Sequence, residues 1–461
     1  MAKSEKAESR TVFVCQQCGK ESLRWLGRCP SCQEWNTFVE KTVVAVATRR
    51  PAIPLRPVQE LSQIGLEATD RLPLPLAEFN RVLGGGLVTG SLVLIGGEPG
   101  IGKSTLLLQV AALVAEARGK VVYVSGEETL RQIKLRANRL GITGEKIYLL
   151  AETDLNVILG QMEELSPDLV VIDSIQAVSL PEMETTPGSI TQVRECTARL
   201  MHWAKLSAVP VFITGHVTKD GAIAGPRVLE HIVDVVLYLE GESFSAYRIL
   251  RSVKNRFGST NEIGVFEMKA EGLIEVKNPS QAFLSQRGEE AIGSVVVPVL
   301  EGSRPLLVEL QALTNPTAFG LPRRTANGVD FGRLLLITAV LSKRAGLRLG
   351  NQDILVNVTG GIKIDEPAAD LGIALAVASS FRDAGIDPHL VAMGEIGLSG
   401  ELRTVPQLDR RIDEAARLGF KRCIIPKTGA KAASVHHDIE LIAVSSLNEA
   451  INLTLPRGKQ A

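Results

Sequence analysis

The sequence predicts an α/β protein in three parts: a small metal knuckle, a nucleotide-binding core built on a parallel sheet, and a second α/β domain. Three observations predict it. Gly97-Glu-Pro-Gly-Ile-Gly-Lys-Ser-Thr105 fits the phosphate-loop pattern Gly-x-x-x-x-Gly-Lys-Ser/Thr. Apolar runs alternate with amphipathic segments over residues 61–275, and a second alternating series fills 281–461. Ahead of both, Cys15-x-x-Cys18 and Cys29-x-x-Cys32 set two thiolate pairs close together.

The knuckle occupies residues 11–40. Each Cys-x-x-Cys turn puts two thiolates on one side, and two such turns close a tetrahedron around Zn²⁺. A redox dithiol is the rival, but paired motifs suit a structural zinc site better than a lone one does. Trp25 and Trp35 are expected to pack over the knuckle. Residues 41–60 lack periodicity and carry Pro51, Pro54 and Pro57 with Arg49, Arg50 and Arg56, which reads as an extended linker.

In the core, the spacing predicts strands at 91–95, 120–124, 169–173, 210–214, 233–239 and 247–252. The first runs into the phosphate loop and then a helix over 106–118. Gly97, Gly100 and Gly102 let the backbone N–H groups of the loop, which also carries Glu98, Pro99 and Ile101, wrap a phosphate at a helix N-terminus. Lys103 reaches the β- and γ-phosphates of ATP, and the Ser104 hydroxyl, with Thr105 beside it, faces Mg²⁺. Asp173 ends an apolar strand and is the second candidate for Mg²⁺, against a plain helix-cap role. Glu127 and Glu128 follow another strand end; Glu127 is favoured as the group that activates water, against both merely capping the helix at Thr129. His216 ends a further strand and is either a γ-phosphate sensor or a structural histidine. The loop 217–227 brings Lys219 and Arg227, suited to contacting DNA. Lys254-Asn-Arg-Phe-Gly258 is either a solvated hairpin tip, or Lys254 and Arg256 enter a neighbouring subunit's nucleotide site.

Bulk properties narrow the function. With 461 residues the chain holds about two or three domains. Net charge is zero, so a nucleic-acid surface must be a local patch, and a content of 4% aromatic residues disfavours extensive base stacking. No apolar run nears the roughly 20 residues of a membrane span, and the N-terminus lacks a signal peptide's apolar core. The expectation is a soluble, cytoplasmic protein. Cys196 and Cys423 stand alone in apolar or helical contexts and read as core residues.

The four-cysteine knuckle, the phosphate loop and Lys254-Asn-Arg-Phe-Gly258, in this order, resemble the bacterial RadA (Sms) family of DNA-repair ATPases across essentially the whole chain. The resemblance implies a RecA-like P-loop ATPase core assembling as a homo-oligomer, a hexameric ring. It implies ATP-driven movement on single-stranded and branched DNA, and branch migration of recombination intermediates alongside the RecA recombinase. It makes Glu127 the catalytic carboxylate, and Lys254 and Arg256 fingers acting across the subunit interface. The final third resembles the Lon protease domain through Val356-Asn-Val-Thr-Gly-Gly361, Asp365-Glu-Pro-Ala-Ala-Asp370, Met393-Gly-Glu-Ile-Gly-Leu398 and Gly419-Phe-Lys-Arg-Cys-Ile-Ile-Pro426. The resemblance puts the nucleophile position at Ala368–Ala369 and its lysine at or beside Asp409, so neither half of a Ser–Lys dyad is present. This Lon-protease-like domain is therefore expected to be a catalytically dead scaffold. Its clustered cations are either a solvated face or a phosphate-backbone contact. One run is Arg323, Arg324, Arg333, Lys343, Arg344 and Arg348; the other is Arg403, Arg410, Arg411, Arg417, Lys421 and Arg422. Arg323, Arg324 and Arg344 are the candidate DNA contacts. The competing readings are an ATP-binding switch or adaptor that does not translocate, and an ATP-driven protease, which Ala368 and Ala369 oppose.

Overall fold

The structure is a computed structural model. It describes residues 9–15, 21–22, 24–30, 33–44, 60–63, 71–216, 229–241, 246–260, 262–284, 292–318, 320–430 and 438–455. The chain divides into two compact units, 1–67 and 68–461.

The first unit is a small antiparallel sheet in the order β2-β1-β3, from β1 (Ser9–Cys15), β2 (Glu21–Ser22) and β3 (Phe38–Val44). Cys15 lies opposite Phe38 in the ladder. Cys29 and Phe38 are buried, with Phe13 and Leu26 packed against them. Trp25 and Trp35, expected over the knuckle, are 53% and 66% exposed. Trp25 donates its N–H to the Phe38 carbonyl at 3.2 Å, and the Arg28 guanidinium sits 5.6 Å from the Trp35 ring centre. Cys18, Cys32 and residues 45–59 of the expected linker lie outside the described residues, as does the Cys15 side chain.

The second unit opens with a two-stranded pair, β4 (Arg71–Leu72) and β5 (Leu87–Val88), around α1 (Ala77–Leu83). A nine-stranded sheet follows. Its parallel strands are β6 (Leu92–Gly97), β7 (Val121–Ser125), β8 (Ile147–Ala151), β9 (Leu169–Asp173), β10 (Val211–His216) and β11 (Val235–Glu240). The antiparallel strands β12 (Tyr247–Asn255), β13 (Ile263–Lys269) and β14 (Gly272–Glu275) extend one edge, giving β14-β13-β12-β11-β6-β10-β9-β7-β8. β6 is buried at all its positions, as a central strand covered on both faces requires. The covering helices are α2 (Lys103–Ala117), α3 (Leu130–Arg139), α4 (Leu155–Leu165) and α5 (Ile190–Ser207). Thr129 and Gln132 form a capping box that starts α3, so Thr129 rather than Glu127 or Glu128 supplies its cap.

Beyond α6 (Pro279–Leu284) lies a seven-stranded mixed sheet in the order β17-β18-β16-β15-β19-β22-β23. Its strands are β15 (Ser294–Glu301), β16 (Arg304–Pro316), β17 (Arg324–Asn327), β18 (Gln352–Val358), β19 (Leu390–Ala392), β22 (Arg422–Pro426) and β23 (Glu440–Val444); a separate hairpin pairs β20 (Glu395–Ile396) with β21 (Leu402–Arg403). The helices α7 (Phe331–Arg344), α8 (Asp370–Arg382) and α9 (Leu408–Arg417) pack around it. α8 approaches β15 so closely that a Cβ on Gly372 would lie 2.1 Å from Val297 Cγ1. One hydrophobic cluster reaches both large sheets, since Ile249, Ile263 and Val265 of β12 and β13 pack with residues of β15 and β16. Two ion pairs bridge the same seam: Arg304 with Glu78, and Arg251 with Glu301 at 2.6 Å. Cys196 and Cys423 are fully buried, and burial pushes the Cys196 thiol up to about 12 and the Cys423 thiol up as well.

Candidate active site

Parallel pairing brings the C-terminal ends of β6, β7, β9 and β10 to one edge of the nine-stranded sheet. His216 lies beside Gly97, and Ser125 beside Asp173, so four loops open on the same side. The loop after β6 turns through Gly100 (φ 77°) and Gly102 (φ 115°), backbone angles that residues with a Cβ avoid. It delivers Lys103 and Ser104 into the first turn of α2.

A cleft of about 340 Å³ forms there, lined by Pro99, Gly100, Gly102, Lys103, Ser104, Thr105, Glu127, Glu128, Arg136, Arg139 and Asp173. Lys103 is only 4% exposed, and its ammonium donates to the carbonyls of Gly97 (2.8 Å) and Glu98 (3.0 Å). Burial lowers its pKa, while the charges of Asp173 and Glu127 pull it back up. A buried cation resting on its own loop's carbonyls at the N-terminus of a helix is a cradle for phosphate. Ser104 and Asp173 supply hydroxyl and carboxylate oxygens on its wall, the donor chemistry that Mg²⁺ takes.

The two adjacent glutamates part company. Glu128 is locked in a two-pronged pair with Arg136, Nη1 lying 2.8 Å from Oε2. Glu127 accepts the Ser174 hydroxyl and acts electrostatically on Lys103. Asp173 accepts two hydroxyls, from Tyr123 on Oδ2 (2.6 Å) and from Thr214 on Oδ1 (2.7 Å). Burial, then the Asp173 charge, raises the Tyr123 pKa well above the usual phenol value, so Tyr123 is a proton donor here. Tyr123, Thr214, Ser174, Arg136 and Arg139 were not among the sequence candidates. Tyr123 carried a signal, being a polar atom inside the otherwise apolar run Val121–Val124 that needs a partner when buried.

Lys254 and Arg256 lie at the other edge of the sheet. β12 runs antiparallel to β11 with Lys254 opposite Val236, and Val236 pairs with Leu94 early in β6, far from the strand ends that make the cleft. Lys254 Nζ donates to the Val233 carbonyl at 2.8 Å and to that of Glu230. Burial, then the neighbouring Arg256 charge, lowers its pKa. Arg256 reaches the buried Asp234 carboxylate at 3.3 Å and keeps about half its side chain exposed, at 53%. The chain's own cleft therefore receives neither cation. The His216 side chain, Lys219 and Arg227 lie outside the described residues.

Several cations in the basic runs of the C-terminal sheet are anchored to the fold. Arg324 donates to the carbonyls of Arg323, Gln352 and Leu349, which ties it to the fold. Arg333 grips Asp370 with two nitrogens, one at 2.6 Å. Arg411 is 0% exposed, paired with Glu366 and bonded to the Pro298 carbonyl at 2.7 Å. These three are tied to partners within the fold, which a charge run in sequence does not reveal. Arg323 and Arg344 are exposed at the surface. Ala368 and Ala369 are buried ahead of α8, and Asp409 sits in the first turn of α9. No helix among the described residues is long and apolar enough to cross a membrane.

A phosphate loop, an adjacent strand-end aspartate and a strand-end glutamate on one sheet edge define a P-loop ATPase of the RecA-like class. Family models agree part by part: an AAA domain matches residues 56–222, a rubredoxin metal binding domain 13–40, and subunit ChlI of Mg-chelatase 320–429. The fold is thus a RecA-like core with an N-terminal zinc-ribbon domain and a C-terminal Lon-like α/β domain. The chain belongs to the family of the DNA repair protein RadA. It is 53% identical to that protein from Halalkalibacterium halodurans over 98% of this chain and 100% of the relative. It is 52% identical to the one from Bacillus subtilis over 97% and 99%, and 51% identical to the one from Listeria monocytogenes over 98% and 99%. Among solved structures, a KaiC-like protein from Pyrococcus horikoshii aligns over 45% of this chain and 98% of its own, at 22% identity and a TM-score of 0.38.

Proposed function

We propose that this protein is a DNA-dependent ATPase of recombinational repair. It works as a homo-oligomeric ring, a hexamer, that translocates on single-stranded and branched DNA and drives branch migration with the RecA recombinase. Lys103 exchanges its carbonyl partners for the β- and γ-phosphates of ATP. Ser104 and Asp173 hold Mg²⁺, which neutralises charge on the phosphates when bound. Glu127 takes a proton from the attacking water, while Glu128 stays engaged by Arg136. His216 senses the γ-phosphate, and Lys219, Arg227, Arg323 and Arg344 contact the DNA backbone. Cys15, Cys18, Cys29 and Cys32 hold Zn²⁺ as a structural site in the N-terminal ribbon. Peptide hydrolysis has no place here, because Ala368 and Ala369 offer no nucleophile.

One observation carries the ring: the cleft and the Lys254–Arg256 pair sit at opposite edges of one sheet. A head-to-tail assembly with closed rotation brings one subunit's trailing edge to the next one's cleft, where cations stabilise developing phosphoryl charge. The test is subunit mixing. Lys103→Ala and Lys254→Ala are each inactive alone, and their equimolar mixture regains up to about a quarter of native ATPase activity at random head-to-tail pairing. A mixture as inactive as its components contradicts fingers acting between subunits.

A further inference from the structure

Two buried hydroxyls on Asp173 take no part in the roles above. Tyr123 and Thr214 come from β7 and β10, the two strands that flank β9 in the sheet. They are 1% and 0% exposed, and each bonds a different carboxylate oxygen. Every position of β7 is buried, so a phenylalanine would fill the Tyr123 site equally well. Packing therefore explains the ring and leaves the hydroxyl over. An ionised carboxylate has about four lone-pair sites. The two hydroxyls occupy one on each oxygen and stop the group rotating. One site per oxygen is then left for the cleft. Bonds from hydroxyls to an ionised carboxylate are of the strong class, and both donor residues are buried.

Lys103 supplies the reason such a hold is needed. Its buried ammonium feels the Asp173 charge, yet it rests on the carbonyls of Gly97 and Glu98. A carboxylate free to rotate would be drawn toward that ammonium, which would remove a metal-facing group and a phosphate-facing group together.

We propose that Tyr123 and Thr214 are positioning residues that clamp the Asp173 carboxylate from both sides, keeping it off Lys103 and oriented toward the divalent cation that accompanies the nucleotide. This rests on the reading that Asp173 serves Mg²⁺. The experiment measures binding of a fluorescent ATP analogue to the full chain as Mg²⁺ is titrated, and again in EDTA, with thermal melting alongside. Tyr123→Phe and Thr214→Val each raise the Mg²⁺ concentration for half-maximal binding by about tenfold, and the affinity they lose in EDTA is smaller than the affinity they lose with Mg²⁺. Thr214→Ser, which keeps the hydroxyl, stays near native throughout. Titrations that superimpose on the native curve overturn the clamp, as does an equal loss with and without Mg²⁺. The two hydroxyls are removed separately, so a variant that fails to fold leaves the other to decide. Native binding indifferent to Mg²⁺ removes the underlying reading of Asp173, and is distinguishable because it is seen before any substitution.

Discussion

Glu127 and Glu128 are chain neighbours with different partners, and that difference separates their chemistry. A carboxylate locked on a guanidinium is a poor base, whereas one sharing a serine hydroxyl beside Lys103 can accept a proton from water. Glu127→Gln is expected to lower kcat by about 100-fold or more while nucleotide affinity holds. Glu128→Gln releases Arg136 and should move KM more than kcat; equal losses of kcat in steady-state assays would contradict the division of labour. The charged residues of the C-terminal sheet divide in a similar way. Arg411→Ala strands Glu366 against the core and should cost about 3–5 kcal/mol in urea unfolding. Arg403→Ala, whose partner Glu401 is also at the surface, should cost about 0–1 kcal/mol. Comparable losses would mean that burial does not set the value of these pairs. The phosphate loop was legible in sequence because its chemistry is fixed by spacing within nine residues, Gly97 to Thr105. The anchoring of Arg411 and Arg324 was not, because their partners lie on other elements that no local pattern names.

At the scale of elements, the strands legible in the sequence were mostly those buried on both faces, with β12 and its exposed Val253 as the exception. β6, β7, β9, β10, β11 and β12 fall on expected runs, with ends differing by a few residues. β8, β13 and β14 were absent from the expected set. β8 forms the sheet's edge and has no buried position, so its apolar signal is weak, while β13 and β14 extend the sheet beyond the parallel strands that the phosphate-loop pattern leads one to seek. Close approaches also belong to this scale. α8 meets β15 through Gly372, so Gly372→Val is overpacked against Val297 and should destabilise the chain by about 1–3 kcal/mol, read as a lowered melting temperature. An unchanged melt would mean that the helix can move away from the sheet at little cost.

At the scale of the whole molecule, one hydrophobic cluster reaches both the nucleotide sheet and the Lon-like sheet, with Arg304–Glu78 and Arg251–Glu301 at the seam. Arg251 lies on β12, three residues before Lys254. The strand that carries the proposed fingers is thus braced by the domain proposed to contact DNA, which on that proposal links DNA to a neighbouring subunit's cleft. The central claim is that DNA and nucleotide sites are coupled in this way. Steady-state ATP hydrolysis of the zinc-loaded full chain, with and without single-stranded DNA, tests it most directly. The account predicts clear stimulation by DNA, abolished by Lys103→Ala. Turnover indifferent to DNA would contradict it and leave an ATP-driven switch answering to a protein partner.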